Sequence, residues 1–221
     1  KYIAKREGVE KIDDSWKVEP VSQAQQKMID ELLQEFPESK DSYEYQDFLW
    51  QPNKGNASEF ITRTIEENLD QVDKRENYVQ YIAKRPRVEK VGTHGLFTDD
   101  NVPVHLNEVA EEVASHQGVL MTQILSLRRE DAARLGYEKG EAWRTLIRNH
   151  TKDMAEAMNI PMEDLRWYAA FHNESHHPHC HIIAYSAGKE PYITQERLLK
   201  LKSAFGSEMF RNDRMQAGQD Q

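Results

Sequence analysis

Apolar residues recur at helical spacing through the first third of the chain and gather into short continuous runs in the second half. Met28, Ile29, Leu32 and Leu33 share one face of a helix predicted from Ser22, a capping residue, to about Phe36, with Pro37 helping to end it. Phe60, Ile61 and Ile65 mark a second helix starting at Asn56 or Ser58, and a third covers Asn77 to Lys84 and stops before Pro86. Val91 to Phe97 contains two glycines and reads as a turn or short strand. Asn107 is placed to cap a helix running to His116, with Gly118 ending it. Val119 to Leu127 reads as a buried strand, Arg129 to Leu135 and Gly140 to Met158 as helices, Trp167 to Phe171 and Cys180 to Tyr185 as short strands, and Thr194 to Phe210 as an amphipathic helix. Strands interleaved with helices point to an α/β or α+β sandwich. The reading adopted is α+β, a mainly antiparallel sheet covered by helices.

Charge changes this picture in one place. The net charge of −9 is unexpected for a protein that handles nucleic acid. From Ile12 to Glu76, however, 16 acidic residues face 7 basic ones, while the remainder carries 22 of each. The acidity therefore sits in one block, read as a mostly helical insertion over 12–76 within a domain covering 1–215. The remainder is free to present local basic patches, which guide a phosphate backbone more than net charge does. Residues 216–221 read as a polar tail, the start of a linker. No run is long and apolar enough to span a bilayer and no leader is evident at the start, so a cytoplasmic protein is the default expectation. The single cysteine, Cys180, excludes an intrachain disulfide framework.

One near-repeat stands out. Tyr2-Ile-Ala-Lys-Arg-Glu-Gly-Val-Glu-Lys11 returns as Tyr81-Ile-Ala-Lys-Arg-Pro-Arg-Val-Glu-Lys90, matching at eight of ten positions. With no third copy it is not a solenoid, and two similar helix ends are its plainest reading.

The chemistry concentrates between Phe171 and His181, where five of the nine histidines fall within ten residues. His179 and His181 are two apart on a predicted strand and so share a face, while His172 ends the preceding strand. If the two strands form an antiparallel hairpin, His172 comes close to His179 and three imidazoles converge. Three neutral imidazoles leave coordination positions open, as a catalytic metal needs, and a metal there polarises a phosphate oxygen. Imidazole favours manganese, zinc, nickel or iron over magnesium, so manganese or another transition metal is expected on physical grounds, with magnesium a candidate in the cell. Glu174 is placed to orient an imidazole or to act in proton transfer. A surface cluster or adventitious site is the competing reading; spacing, strand context and the adjacent carboxylate favour a built site. His176 and His177 read as spare loop residues.

At these residues the sequence resembles relaxases of the MobP/MobL mobilisation group within the HUH endonucleases. That group's metal motif, His-x-Asp/Glu-x-x-x-Pro-His-x-His, is met by His172, Glu174, Pro178, His179 and His181, with glutamate where many members have aspartate. Tyr2-Ile-Ala-Lys-Arg-Glu-Gly8 resembles the motif that carries the group's nucleophilic tyrosine, and Ser126 to Ala132 and Trp167 to His172 resemble its MobL branch. The resemblance implies a histidine pair on a central strand and a plasmid or integrative-element origin of transfer as substrate. It implies tyrosine attack giving a 5′-phosphotyrosyl link and a free 3′-hydroxyl that can later be rejoined, with accessory relaxosome and coupling proteins as partners. Tyr2 is the implied nucleophile, because its copy keeps Arg-Glu-Gly; Tyr81 is the alternative.

Lys5 and Arg6 beside Tyr2 are candidate phosphate contacts. Lys84, Arg85, Arg87 and Lys90 form a second basic segment interleaved with Tyr78 and Tyr81, and Arg128 and Arg129 follow the predicted strand. For each run, a merely solvated face is the plain reading. Trp50 and Trp143 could stack on bases but fit packing better. An HUH replication initiator or transposase is a competing function, although such proteins often carry the tyrosine downstream of the histidines. A non-enzymatic metal-containing DNA-binding module and a metal hydrolase that uses water compete as well.

Overall fold

The computed structural model describes residues 19–68, 75–84, 87–173 and 178–211. Tyr2, Lys5, Arg6, Arg85, Glu174 and the 216–221 tail lie outside them. The chain divides into two compact units, Lys1–Asp73 and Lys74–Gln221.

In the first unit, helices α1 (Gln23–Glu35) and α2 (Tyr43–Trp50) both pack on α3 (Lys54–Glu67). Ser22 caps α1 with a reciprocal bond from Gln25, and the helix ends at Phe36 before Pro37, as its pattern predicts. The start of α3 differs from expectation: Asn53, not Asn56 or Ser58, accepts from the Asn56 amide. Ile29, Leu32, Phe36, Phe48, Phe60, Ile61 and Ile65 are buried, and Tyr45 lies against the Phe60 ring at 5.0 Å. Trp50 is 84% exposed.

The second unit is built on a four-stranded antiparallel sheet of β1 (Leu96–Phe97), β2 (Leu120–Ser126), β3 (Leu165–His172) and β4 (His179–Ser186), in the order β1-β3-β4-β2. Leu165, Trp167, Ala169 and Phe171 of β3 and Cys180, Ile182 and Ala184 of β4 join one core with α6 (Arg129–Leu135), α7 (Gly140–Asn149), α8 (Thr151–Met158) and α9 (Gln195–Met209). Trp143 is its anchor: fully buried, stacked on Phe171 at 5.4 Å, and donating from Nε1 to the Tyr137 carbonyl at 2.9 Å. Gly136 closes α6 in the left-handed conformation that glycine adopts without Cβ strain.

On the opposite face, α4 (Arg75–Lys84) and α5 (Leu106–Ser115) pack together. The Ile82 carbonyl reaches His172, and His116, at the end of α5, lies 4.9 Å from the Tyr185 ring. Both faces of β3 and β4 are thus covered, which explains why these strands read as apolar runs rather than as strict alternation.

The helix expected over 140–158 and the cap expected at Asn107 also differ from the sequence reading. Gly140 to Met158 is two helices, because His150 leaves helical geometry and is held by Asp153 at 2.6 Å and by Glu208 of α9 at 2.8 Å. Asn107 lies inside α5, whose cap position is His105; its side chain instead accepts from Gln80 of α4 at 3.0 Å.

Candidate metal centre

Strand register builds the site. β3 and β4 pair so that His172 stands opposite His179 and Ala170 opposite His181. Alternation then sends all three imidazoles to the face away from the main core, while Cys180 points into that core. Burial pushes the Cys180 thiol well above its ordinary value, so it stays protonated.

The ring centroids of His172, His179 and His181 are 4.6 to 5.1 Å apart. His172 and His181 are buried, at 0% and 1% exposure, and His179 is half-buried, giving the cluster one side toward solvent. His172 Nε2 lies 2.7 Å from the Ile82 carbonyl oxygen. A carbonyl only accepts, so Nε2 carries the proton and Nδ1 keeps the lone pair needed for ligation. The Nε2 atoms of His179 and His181 are 3.1 Å apart. Nitrogens about 2.1 Å from one ion are separated by about 3.0 Å at right angles and about 3.4 Å at tetrahedral angles, so this pair has the spacing of two ligands on one ion. The ligand atoms of the three residues lie within 4.8 Å of one another. The limit for two such ligands is about 4.2 Å, so a modest ring rotation closes the set. Among the described residues no other group of histidine, cysteine or acidic side chains converges in this way.

The surroundings come mostly from the second copy of the repeat, Tyr81 to Lys90. Its helix supplies the Ile82 carbonyl. Val88 bridges to His172, and the Glu89 amide donates to the Phe171 carbonyl at 2.9 Å, so the chain beyond α4 runs alongside the end of β3. The Glu89 carboxylate accepts from the Gly140 amide at 2.8 Å and from Arg144 at 2.9 Å, capping α7. Asn173, directly after His172, accepts from Arg87 Nε through its carbonyl at 3.1 Å and from Arg129 Nη2 through Oδ1 at 2.7 Å.

Of the sequence candidates, the structure therefore brings together His172, His179, His181, Arg87 and Arg129. Arg128 is exposed at the cap position of α6, and Lys84 is exposed in the last turn of α4. Tyr81 is half-buried on α4, next to the residue whose carbonyl holds His172. Trp143 is a core residue. Sequence reasoning missed the roles of Asn173 and the Ile82 carbonyl; the near-repeat carried a trace of the second alone. Tyr168 and Tyr185 share the histidine face further along the strands, but burial raises both phenols, with the Glu112 charge adding to it, and they keep their protons.

A family model of the MobL relaxases matches residues 1–220. The chain belongs to the MobL relaxase family. MobL membership makes it a DNA-nicking enzyme, and relaxases generally use a divalent metal, for which the three histidines offer a donor set. No curated protein and no solved structure matches the chain. Among the described residues of this MobL chain, no helix is long and apolar enough to cross a membrane.

Proposed function

We propose that the protein nicks one strand at an origin of transfer by metal-assisted tyrosine attack, forming a 5′-phosphotyrosyl adduct that is later rejoined. The observation that carries this reading is the convergence of His172, His179 and His181 on one sheet face with a side toward solvent. A divalent cation, manganese or magnesium, supplies Lewis-acid polarisation of a phosphate oxygen when bound there. His172 would ligate through Nδ1, and His179 and His181 through Nε2. The tyrosine oxygen forms a bond to phosphorus as the bond to the 3′ oxygen breaks. The phenolic proton leaves to a base, for which Glu174 is the candidate, and the departing 3′ oxygen takes up a proton.

Tyr2 is the proposed nucleophile, on its Arg-Glu-Gly context. One observation favours Tyr81 as a second reading: its helix touches His172 through the neighbouring carbonyl. Lys5, Arg6, Lys84, Arg85, Arg87, Arg128 and Arg129 are proposed to contact the DNA backbone. Accessory relaxosome and coupling proteins are proposed as partners, and the cytoplasm as the location. Residues 12–76 are proposed as an acidic insertion in a relaxase domain over 1–215, with 216–221 beginning a linker.

The test mixes the chain with labelled single-stranded origin DNA and manganese and looks for an adduct on a denaturing gel. An adduct is expected, lost in Tyr2→Phe and retained in Tyr81→Phe; the reverse pattern moves the nucleophile. His179→Ala is expected to lose metal binding and cleavage together. Cleavage without any adduct would replace the tyrosine mechanism with metal-assisted hydrolysis.

A further inference from the structure

Arg87 and Arg129 are far apart in sequence, yet both are held by one residue, Asn173, and that residue directly follows a proposed metal ligand. The tie to Arg87 is double: Asn173 donates its backbone amide to the Arg87 carbonyl at 2.9 Å and receives Arg87 Nε on its own carbonyl at 3.1 Å. Arg87 is also the one residue other than glycine or asparagine with positive φ among the described residues, at 70°. A β-carbon is strained there, and strain of this kind persists where the surroundings over-determine it, commonly at ligand clamps. The first copy of the repeat has Gly8 at the corresponding position, the residue best suited to that backbone and one that offers no guanidinium. The second copy thus accepts a strained backbone and presents an arginine beside the histidine cluster.

We propose that Asn173 is a positioning residue that sets Arg87 and Arg129 as a two-armed clamp for a DNA phosphate at the edge of the histidine cluster. Guanidinium groups suit this task because their planar fork matches phosphate oxygens, and a fixed fork gives up less freedom on binding. In this role Asn173 acts through the two guanidinium groups. It bonds one guanidinium through the backbone and the other through the side chain, so the two arms keep a constant relation to His172. The inference rests on the nicking reading for what the clamped phosphate belongs to, but it is tested by binding alone.

The test measures binding of a labelled oligothymidine by fluorescence anisotropy, in chelator and over a range of salt. Asn173→Ala is expected to bind about tenfold more weakly, with the salt slope reduced by about one. Its manganese affinity and melting temperature are expected to match the parent chain. In a chain already carrying Arg87→Ala and Arg129→Ala, adding Asn173→Ala, which keeps the main-chain tie to residue 87 and removes only the side-chain tie to residue 129, is expected to change binding by less than about twofold, the signature of a side chain that acts through Arg129. A purely structural role would lower the melting temperature and add its loss to that of the double variant. Unchanged affinity and slope in Asn173→Ala, a full further loss in the double variant, or no binding by the parent chain would each overturn the clamp. A parent chain that binds in this pattern but never nicks origin DNA in manganese would instead overturn the nicking reading and leave the clamp standing as a phosphate site.

Discussion

A single ring nitrogen decides how His172 can act. The Ile82 carbonyl accepts from Nε2 and leaves Nδ1 as the nitrogen that would face a metal, so the group that orients this ring is main chain and no side-chain substitution removes it directly. Tyr185, on the same face, shows the opposite use of burial. Its phenol is pushed upward, first by burial and then by the nearby Glu112 carboxylate, so the folded chain keeps a proton that the unfolded chain releases near pH 10. A group raised in this way supports the fold fully below its unfolded value and loses that support as pH rises beyond it. Stability measured by denaturant titration is therefore expected to fall above about pH 10, and Tyr185→Phe to make the fall shallower by up to about 1.4 kcal/mol per pH unit. Equal slopes for the two proteins would contradict the assignment.

Among the elements, the β3–β4 hairpin was the most legible in sequence. Strand period and the spacing of His172, His179 and His181 are enough to place the rings on one face. The segment from Arg87 to Glu89 was not legible, because its partners, Phe171 to Asn173, lie more than 80 residues away and no local pattern announces such pairing. The break at His150 was hidden for a similar reason: Glu208 supplies a tertiary bond to a residue whose local sequence continues a helix. Gly95 keeps the Arg87–Glu89 segment in place. A β-carbon there would clash with Val88 Cγ2, while the Gly95 amide donates to the Ala83 carbonyl at 2.8 Å. Gly95→Ala is expected to destabilise by about 1–3 kcal/mol through overpacking. Adding Val88→Ala should recover much of that loss in a thermal melt, and a Gly95→Ala chain as stable as the parent would show the approach to be unimportant.

For the whole molecule, the proposed metal ligands all belong to one of the two compact units. The acidity concentrates in the other, a division visible in the sequence as an uneven spread of charge, whereas α2 was not predicted and the packing of α1 and α2 on α3 was not foreseen. A ligand that binds only the folded state stabilises what it binds. Manganese at about 100 times its dissociation constant is expected to add about 2.7 kcal/mol to the unit carrying the histidines. Hydrogen exchange should then slow in β3, β4 and α4, and chelator should reverse it. Protection gained only in α1 to α3 would place the ion elsewhere.

The alternation along β4 has a consequence for how such a chain can change over generations. Its residues take turns between two environments, imidazole, thiol, imidazole, aliphatic, so inserting or deleting one residue would trade the two faces. The sulfur of Cys180 would enter the proposed cation site and the His181 ring would be driven among aliphatic side chains. Substitutions can be tried there one at a time, but the length of this strand is not open to gradual revision. Lineages that vary in size are expected to do so in the connections and leave these eight residues uncut.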